Sequence, residues 1–212
     1  MGDKFKDKYR IESTRLQNWD YGWRGKYYVT ICTRGRECFF GEIINKQMVL
    51  SEIGKIVNAE WLKTLAIRPD MNLTLDEYVI MPNHIHGIIR IGKNEYNKFD
   101  NNNILGSDSG RDAMHGVSTT GTSNQNEELL QRRKNKQDPQ RKNLSSIIRG
   151  FKASVTTEAR KIHADFVWQS RFDDRIIRDE KSLNRIREYI KDNPKKWKDD
   201  ELNPDNNIDG YE

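Results

Sequence analysis

The chain has 212 residues, with 37 Lys plus Arg against 32 Asp plus Glu, a net charge of +5, and 34% hydrophobic against 33% charged residues. That apolar share lies well below the ~45–50% of a compact domain, so part of the chain is not core-forming. No run approaches the ~18–20 apolar residues of a membrane helix, MGDKFKDKYR lacks the apolar stretch of a secretory signal, and Cys32 and Cys38 alone build neither a disulfide scaffold nor a zinc site. A reduced, cytoplasmic protein is expected.

From Lys26, KYYVTICT alternates Tyr28, Thr30 and Cys32 with Tyr27, Val29 and Ile31, which predicts a strand. CFFGEI and QMVL, joined through Asn45–Lys46, predict a hairpin. Ser51 opens SEIGKIVNAEWLKTLAI, whose apolar residues recur at helical spacing until Arg68–Pro69–Asp70 ends the run. LTLDEYVIM and HIHGIIRI, separated by the turn signal Pro82–Asn83, predict a tight antiparallel pair. Residues 94–142 are polar and Gly/Ser/Asn-rich, the composition of a flexible insert. NLSSIIRGFKASVTTEARKI then places Leu144, Ile147, Ile148, Phe151 and Val155 on one side of a helix. FVWQSRFDDRIIR predicts an extended segment, and Asp179 caps a last helix, DEKSLNRIREYIKDN, which stops at Asn193–Pro194.

With the hairpin set aside, this order is the βαββαβ of a ferredoxin-like sandwich. The expected fold class is α+β, with an antiparallel sheet, an added C-terminal helix and a long polar insert. One domain over residues 1–198, interrupted at about 94–142, would be followed by a loose polar tail, 199–212. Such a sheet packs helices on one face and leaves the other for a site.

His84 and His86 stand two apart on a predicted strand, so both imidazoles leave one face and Ile85 the other. Two neutral imidazoles on one face can bind a divalent metal, and His-x-His equally describes two surface histidines. A third ligand is sought in the last helix, where Tyr189 and Asn193 share a face as i and i+4. An amide oxygen from Asn193 would make a two-His, one-amide site, suited to Mg²⁺ or Mn²⁺ more than to Zn²⁺. Tyr189 would then lie one turn from the metal. A phenol, with an ordinary pKa of about 10, attacks a phosphodiester once its target is polarised. The plainer alternatives are a tyrosine at the core edge and a helix-ending asparagine. Tyr27, Tyr28 and Tyr78 are assigned to packing. Arg149 and Lys152 at i and i+3, with Arg24, Arg34 and Arg36 nearer the N-terminus, are candidates for DNA phosphate contacts and equally for a solvated charged face. Trp19, Trp23 and Trp168 are candidates for base stacking.

EYVIMPNHIHGIIRI resembles the HUH region (His, bulky hydrophobic, His) of the single-tyrosine, insertion-sequence-200-like HUH transposases. RLQNWDYGWRGKYYVTICTRGRECFFGEI and FVWQSRFDDRIIRDEKSLNRIREYIKDNPKKW are similar to their REP-associated tyrosine transposase branch. The resemblance covers most of residues 14–93 and 143–198 and omits the insert. It implies a metal-dependent transposase and endonuclease acting on single-stranded DNA with hairpin, repetitive palindromic-type elements. His84 and His86 match the metal pair, Tyr189 the nucleophile and Asn193 the third ligand, with Mg²⁺ or Mn²⁺ as the ion. Attack by tyrosine leaves a 5′-phosphotyrosine and a free 3′-OH, and strand transfer reverses it. The implied partner is DNA, not a membrane, and the protein a monomer or a homodimer, with the site formed in one chain or shared between two. Two readings compete: a domesticated or inactive relative that only binds structured single strands, and a metal phosphoesterase in which water attacks and Tyr189 is structural. Charge adds little. Gln131–Lys142 holds six Lys or Arg and one Asp, which leaves 31 basic and 31 acidic residues elsewhere.

Overall fold

The computed structural model describes residues 19–97 and 142–207, together with two paired two-residue strands, Lys4–Phe5 and Lys8–Tyr9. In chain order the elements are β1 (Gly25–Cys32), β2 (Gly41–Ile44), β3 (Gln47–Leu50), α1 (Glu52–Ala66), β4 (Leu73–Ile80), β5 (His84–Ile91), α2 (Leu144–Ala159), β6 (Asp173–Ile177) and α3 (Glu180–Asp192). β4, β5, β1 and β6 lie side by side in that order, every pair antiparallel. This is the expected α+β ferredoxin-like sheet. β2 and β3 form the accessory hairpin, its turn made by Asn45 and Lys46, both at positive φ.

Alternation along β1 and β5 sorts the two faces. Tyr27, Val29 and Ile31 of β1 and Ile85, Ile89 and Ile91 of β5 are buried with Ile53, Val57 and Trp61 of α1 and Leu144, Ile147, Ile148, Phe151 and Val155 of α2. Both helices are capped from their own sequence. The Ser51 hydroxyl accepts from the Gly54 N–H, and Asn143 and Ser146 cap each other reciprocally.

The opposite face was expected to be open, and here the fold differs. α3 packs on it, setting Leu183 and Ile190 against Ile88 and Ile177, with Tyr28, Val79 and Ile186 at the margin. The helix is strongly amphipathic, and its short apolar stripe must be buried somewhere. A tail loose from residue 199 is a second expectation that fails as far as residue 207. After α3 the chain continues as a 3-10 segment, Asn193–Asp199, and a 3-10 turn, Pro204–Asn207. The buried Asn203 amide donates to the Trp197 carbonyl at 3.1 Å.

Most of the expected insert, residues 98–141, lies outside the described residues. Its flanks belong to the domain. Asn94 donates to the Met71 carbonyl at 2.9 Å, Asn97 donates to Gly92 at 2.9 Å and Gly22 at 3.3 Å, and Lys142 pairs with Asp70.

One close approach fixes how α1 lies on the sheet. Trp61, fully buried, sits on Gly87 of β5, where an added Cβ would fall 2.5 Å from the Trp61 ring. Gly87→Ala should therefore overpack this contact and lower stability by about 1–3 kcal/mol. Urea unfolding should show it, with the loss shrinking in a Trp61→Leu background.

Candidate metal and tyrosine site

Strand alternation carries His84 and His86 to the α3 side of β5, with ring centroids 4.5 Å apart. His84 is fully buried and His86 is 3% exposed. Each ring is oriented through Nδ1. The His84 Nδ1 lies 2.8 Å from the Asn83 side-chain oxygen, and the His86 Nδ1 lies 2.7 Å from the Tyr28 hydroxyl and 3.0 Å from that of Thr30. Burial pushes the His86 imidazole down to about 3, and burial with the neighbouring His86 holds His84 well below its ordinary value. Both rings are therefore neutral at physiological pH, the state a metal ligand requires.

α3 supplies the phenol. The Tyr189 hydroxyl lies 3.4 Å from the His86 Nε2 of the same chain, with the two rings 5.3 Å apart, and Tyr189 remains 43% exposed. Burial and the Asp200 carboxylate push this phenol up, against the opposing pull of the Asn193 and Tyr28 side chains. The ring is protonated at neutral pH. One turn on, Asn193 is buried, and among the described residues neither its Oδ1 nor the His84 Nε2 has a hydrogen-bond partner. Two buried acceptors without donors are a deficit that a cation corrects. A third acceptor was not foreseen. A carboxylate oxygen of Asp200 and one nitrogen from each histidine all lie within 4.8 Å of one another. Imidazole nitrogens combined with carboxylate and amide oxygens suit Mn²⁺ or Mg²⁺. The residues present thus fit a divalent ion.

An irregularity in β4 secures the helix that bears the tyrosine. The β4–β5 register shifts between Leu75 and Tyr78. Leu75 and Tyr78 both pack against the α1–α2 core, while the carboxylates between them, Asp76 and Glu77, both reach α3. A bulge re-aims side chains in this way. The Arg187 guanidinium grips both Asp76 oxygens at 2.8 Å, and the Arg90 Nε donates to Oδ2 at 2.8 Å. These contacts, Arg187 first, hold the Asp76 carboxyl well below the usual carboxylate range. Lys191 pairs with Glu77 at 3.1 Å, and Glu180 in the first turn pairs with Lys26.

The five basic residues singled out for DNA are not gathered in one place. Arg34, exposed, and Arg36 lie in the 3-10 turn after β1, whose last residue, Cys32, is opposite His84. The Arg36 guanidinium donates to the Glu201 carbonyl at 2.7 Å. Arg24, exposed at the far end of the sheet, lines with Lys26, Arg90 and Arg178 an open pocket of about 560 Å³. Arg149 is exposed on α2, in the layer across the sheet from the histidines. Lys152 corrects the expectation of a surface cation. Its half-buried ammonium donates to the Gln169 carbonyl at 2.8 Å and to that of Arg171, beside the Trp168 ring, and burial lowers it to about 8. Trp168 is buried, and the Trp19 indole donates to the Tyr27 hydroxyl at 3.2 Å.

A Haemophilus influenzae protein described as uncharacterized is 38% identical over 191 residues, which span 90% of this chain and 91% of that protein. The chain belongs to the same family as that protein. No family model matches the chain. A solved structure described as a REP-associated tyrosine transposase bound to a REP hairpin is similar at a TM-score of 0.47 and 18% identity, covering 87% of this chain and 74% of that one. A second, from Deinococcus radiodurans and described provisionally as a transposase, is similar at a TM-score of 0.35 and 9% identity, covering 84% and 96%.

Two outcomes are expected. In the metal-free protein the unfolded chain takes up protons on His84 and His86 below about pH 6.5 that the folded chain refuses. Stability should therefore fall as pH drops from 6.5 towards 3. Urea midpoints at pH 7 and pH 4.5 should differ more for the wild type than for His86→Gln. Separately, Asp76→Asn should loosen α3 alone, so that amide exchange in residues 183–192 quickens by about tenfold or more while α1 and β5 keep their protection.

Proposed function

We propose that this single-domain chain is a metal-dependent enzyme that cleaves and rejoins single-stranded DNA at hairpin-associated sites through a 5′-phosphotyrosine at Tyr189. The observation that carries this reading is Tyr189, a side chain 43% exposed whose hydroxyl lies 3.4 Å from the His86 Nε2 of its own chain, near buried polar atoms without a partner among the described residues. Tyr189, His84, His86 and Asp200 come together within one chain, which supports a working monomer. The substrate class rests on the sequence resemblance of the MPNHIH and REYI-x-x-NP blocks.

His84, His86, Asn193 and Asp200 would hold a Mn²⁺ or Mg²⁺ ion. When bound, the ion supplies a Lewis acid that polarises the scissile phosphate. The Tyr189 oxygen bonds to phosphorus and the bond from phosphorus to the 3′ oxygen breaks. The phenol proton leaves through solvent, and the departing oxygen takes one up to become a 3′-OH. Burial and Asp200 keep the free phenol protonated, so that by itself it is a weak nucleophile. Rejoining is the same exchange in reverse, with the 3′-OH as nucleophile. Tyr28 and Thr30 orient His86, and Arg34, exposed just after the strand end that faces His84, would contribute a phosphate contact.

The test is a hairpin-bearing single-stranded oligonucleotide incubated with Mn²⁺. Wild type should form a covalent protein–DNA adduct. Tyr189→Phe should form none and lose cleavage by at least about a thousandfold while still binding Mn²⁺. Equal cleavage by both proteins with no adduct would assign attack to water; binding without cleavage by either would leave a DNA-binding protein.

A further inference from the structure

We infer that Asn83 is a positioning residue: its side-chain amide fixes the tautomer of His84 and so decides which His84 nitrogen is offered to a metal. The inference rests on the reading of His84 as a ligand and adds a residue to it.

The two ends of the Asn83 amide are distinguished by their neighbours. Nδ2 lies 2.9 Å from the Arg36 carbonyl oxygen and 2.7 Å from that of Leu202. Carbonyl oxygens only accept, so both hydrogens of the NH₂ group are committed to them, and the remaining amide atom must be the oxygen. That oxygen is 2.8 Å from the His84 Nδ1. It too can only accept, so Nδ1 carries the hydrogen. A neutral imidazole has one ring hydrogen, which leaves Nε2 with a bare lone pair. Asn83 is 1% exposed and His84 fully buried, so no bulk water competes for these contacts. The backbone is held as well: the Asn83 carbonyl accepts from the Thr33 N–H at 2.9 Å and from its hydroxyl at 3.1 Å.

The same amide reaches the other side of the site. Leu202 lies two residues beyond Asp200, and its carbonyl is one of the two that the Asn83 NH₂ engages. Asn83 therefore orients one candidate ligand and anchors the segment that carries another. Such outer hydrogen bonds to ligating histidines typically carry about ten- to a hundredfold in metal affinity.

The experiment uses the full chain without DNA. Long-range ¹H–¹⁵N spectra of the metal-free wild type should show His84 as the Nδ1–H tautomer. Asn83→Ala should raise the Nε2–H share and weaken Mn²⁺ binding, measured by calorimetry, about ten- to a hundredfold. A wild-type spectrum showing Nε2–H overturns the inference without any variant, so failure of Asn83→Ala to fold does not shield it. Unchanged tautomer and affinity in a folded Asn83→Ala overturn it too. Neither readout involves cleavage, so a protein that binds Mn²⁺ but cuts no DNA defeats the functional reading and leaves this one standing.

Discussion

The site exists only while α3 stays on the histidine face of the sheet. The core between the sheet and the α1–α2 layer is built from other residues, while this 13-residue helix carries Tyr189 to His86 and the segment after it leads to Asp200, beside both histidines. Its apolar grip is small. Leu183, Ile190 and the margin residue Ile186 rest on Ile88 and Ile177, and each such side chain contributes about 1.5–3 kcal/mol when fully buried. Much of that offsets the entropy of ordering the helix. Direction comes from charge. Asp76 holds Arg187 at two points and Arg90 at another, so the helix is fixed in rotation as well as in position. Rotation decides whether Tyr189 faces the imidazoles or water.

The electrostatics around the histidines run opposite to those of the clasp. At Asp76, charges meet charges and remain ionised. At His84 and His86, burial removes charge and leaves lone pairs, each ring held by a neutral partner at Nδ1. The division has a physical logic. A strand bulge with two carboxylates can hold a helix from outside the site, while the interior keeps unpaired acceptors that a purely structural core would not tolerate.

Much of this was legible in the sequence, because period 2 and period 3.6 are read without tertiary knowledge. The strands, the Ser51 and Asp179 caps, the shared face of His84 and His86, and the Tyr189–Asn193 pairing all follow from spacing. What escaped depends on contacts between elements. Tyr28 looked like packing, although it shares a face with Thr30, which stands opposite His86; the signal was there but needed the β1–β5 register. Asp200 lies beyond a 3-10 segment, where no periodicity links it to α3. The face of α3 was misjudged for the same reason, since amphipathicity says that a helix must pack and not against what. Lys152 shared a predicted face with Arg149, but its long stem carries the ammonium back to main-chain carbonyls.

The flanks of residues 98–141 have a mechanical consequence. Asn97 is tied to Gly22 and Gly92, and Lys142 to Asp70 and to the face of the Tyr96 ring, 5.1 Å from its centroid. Residues 97 and 142 are thus held at one place, anchored by residues at the opposite end of β5 from His84. Because residues 97 and 142 are held together by contacts among the described residues alone, the entropy of closing the chain between them grows only slowly with its length. A change in the length of chain between these two residues would therefore be felt first at the Gly92 end of β5, eight residues along the chain from His84.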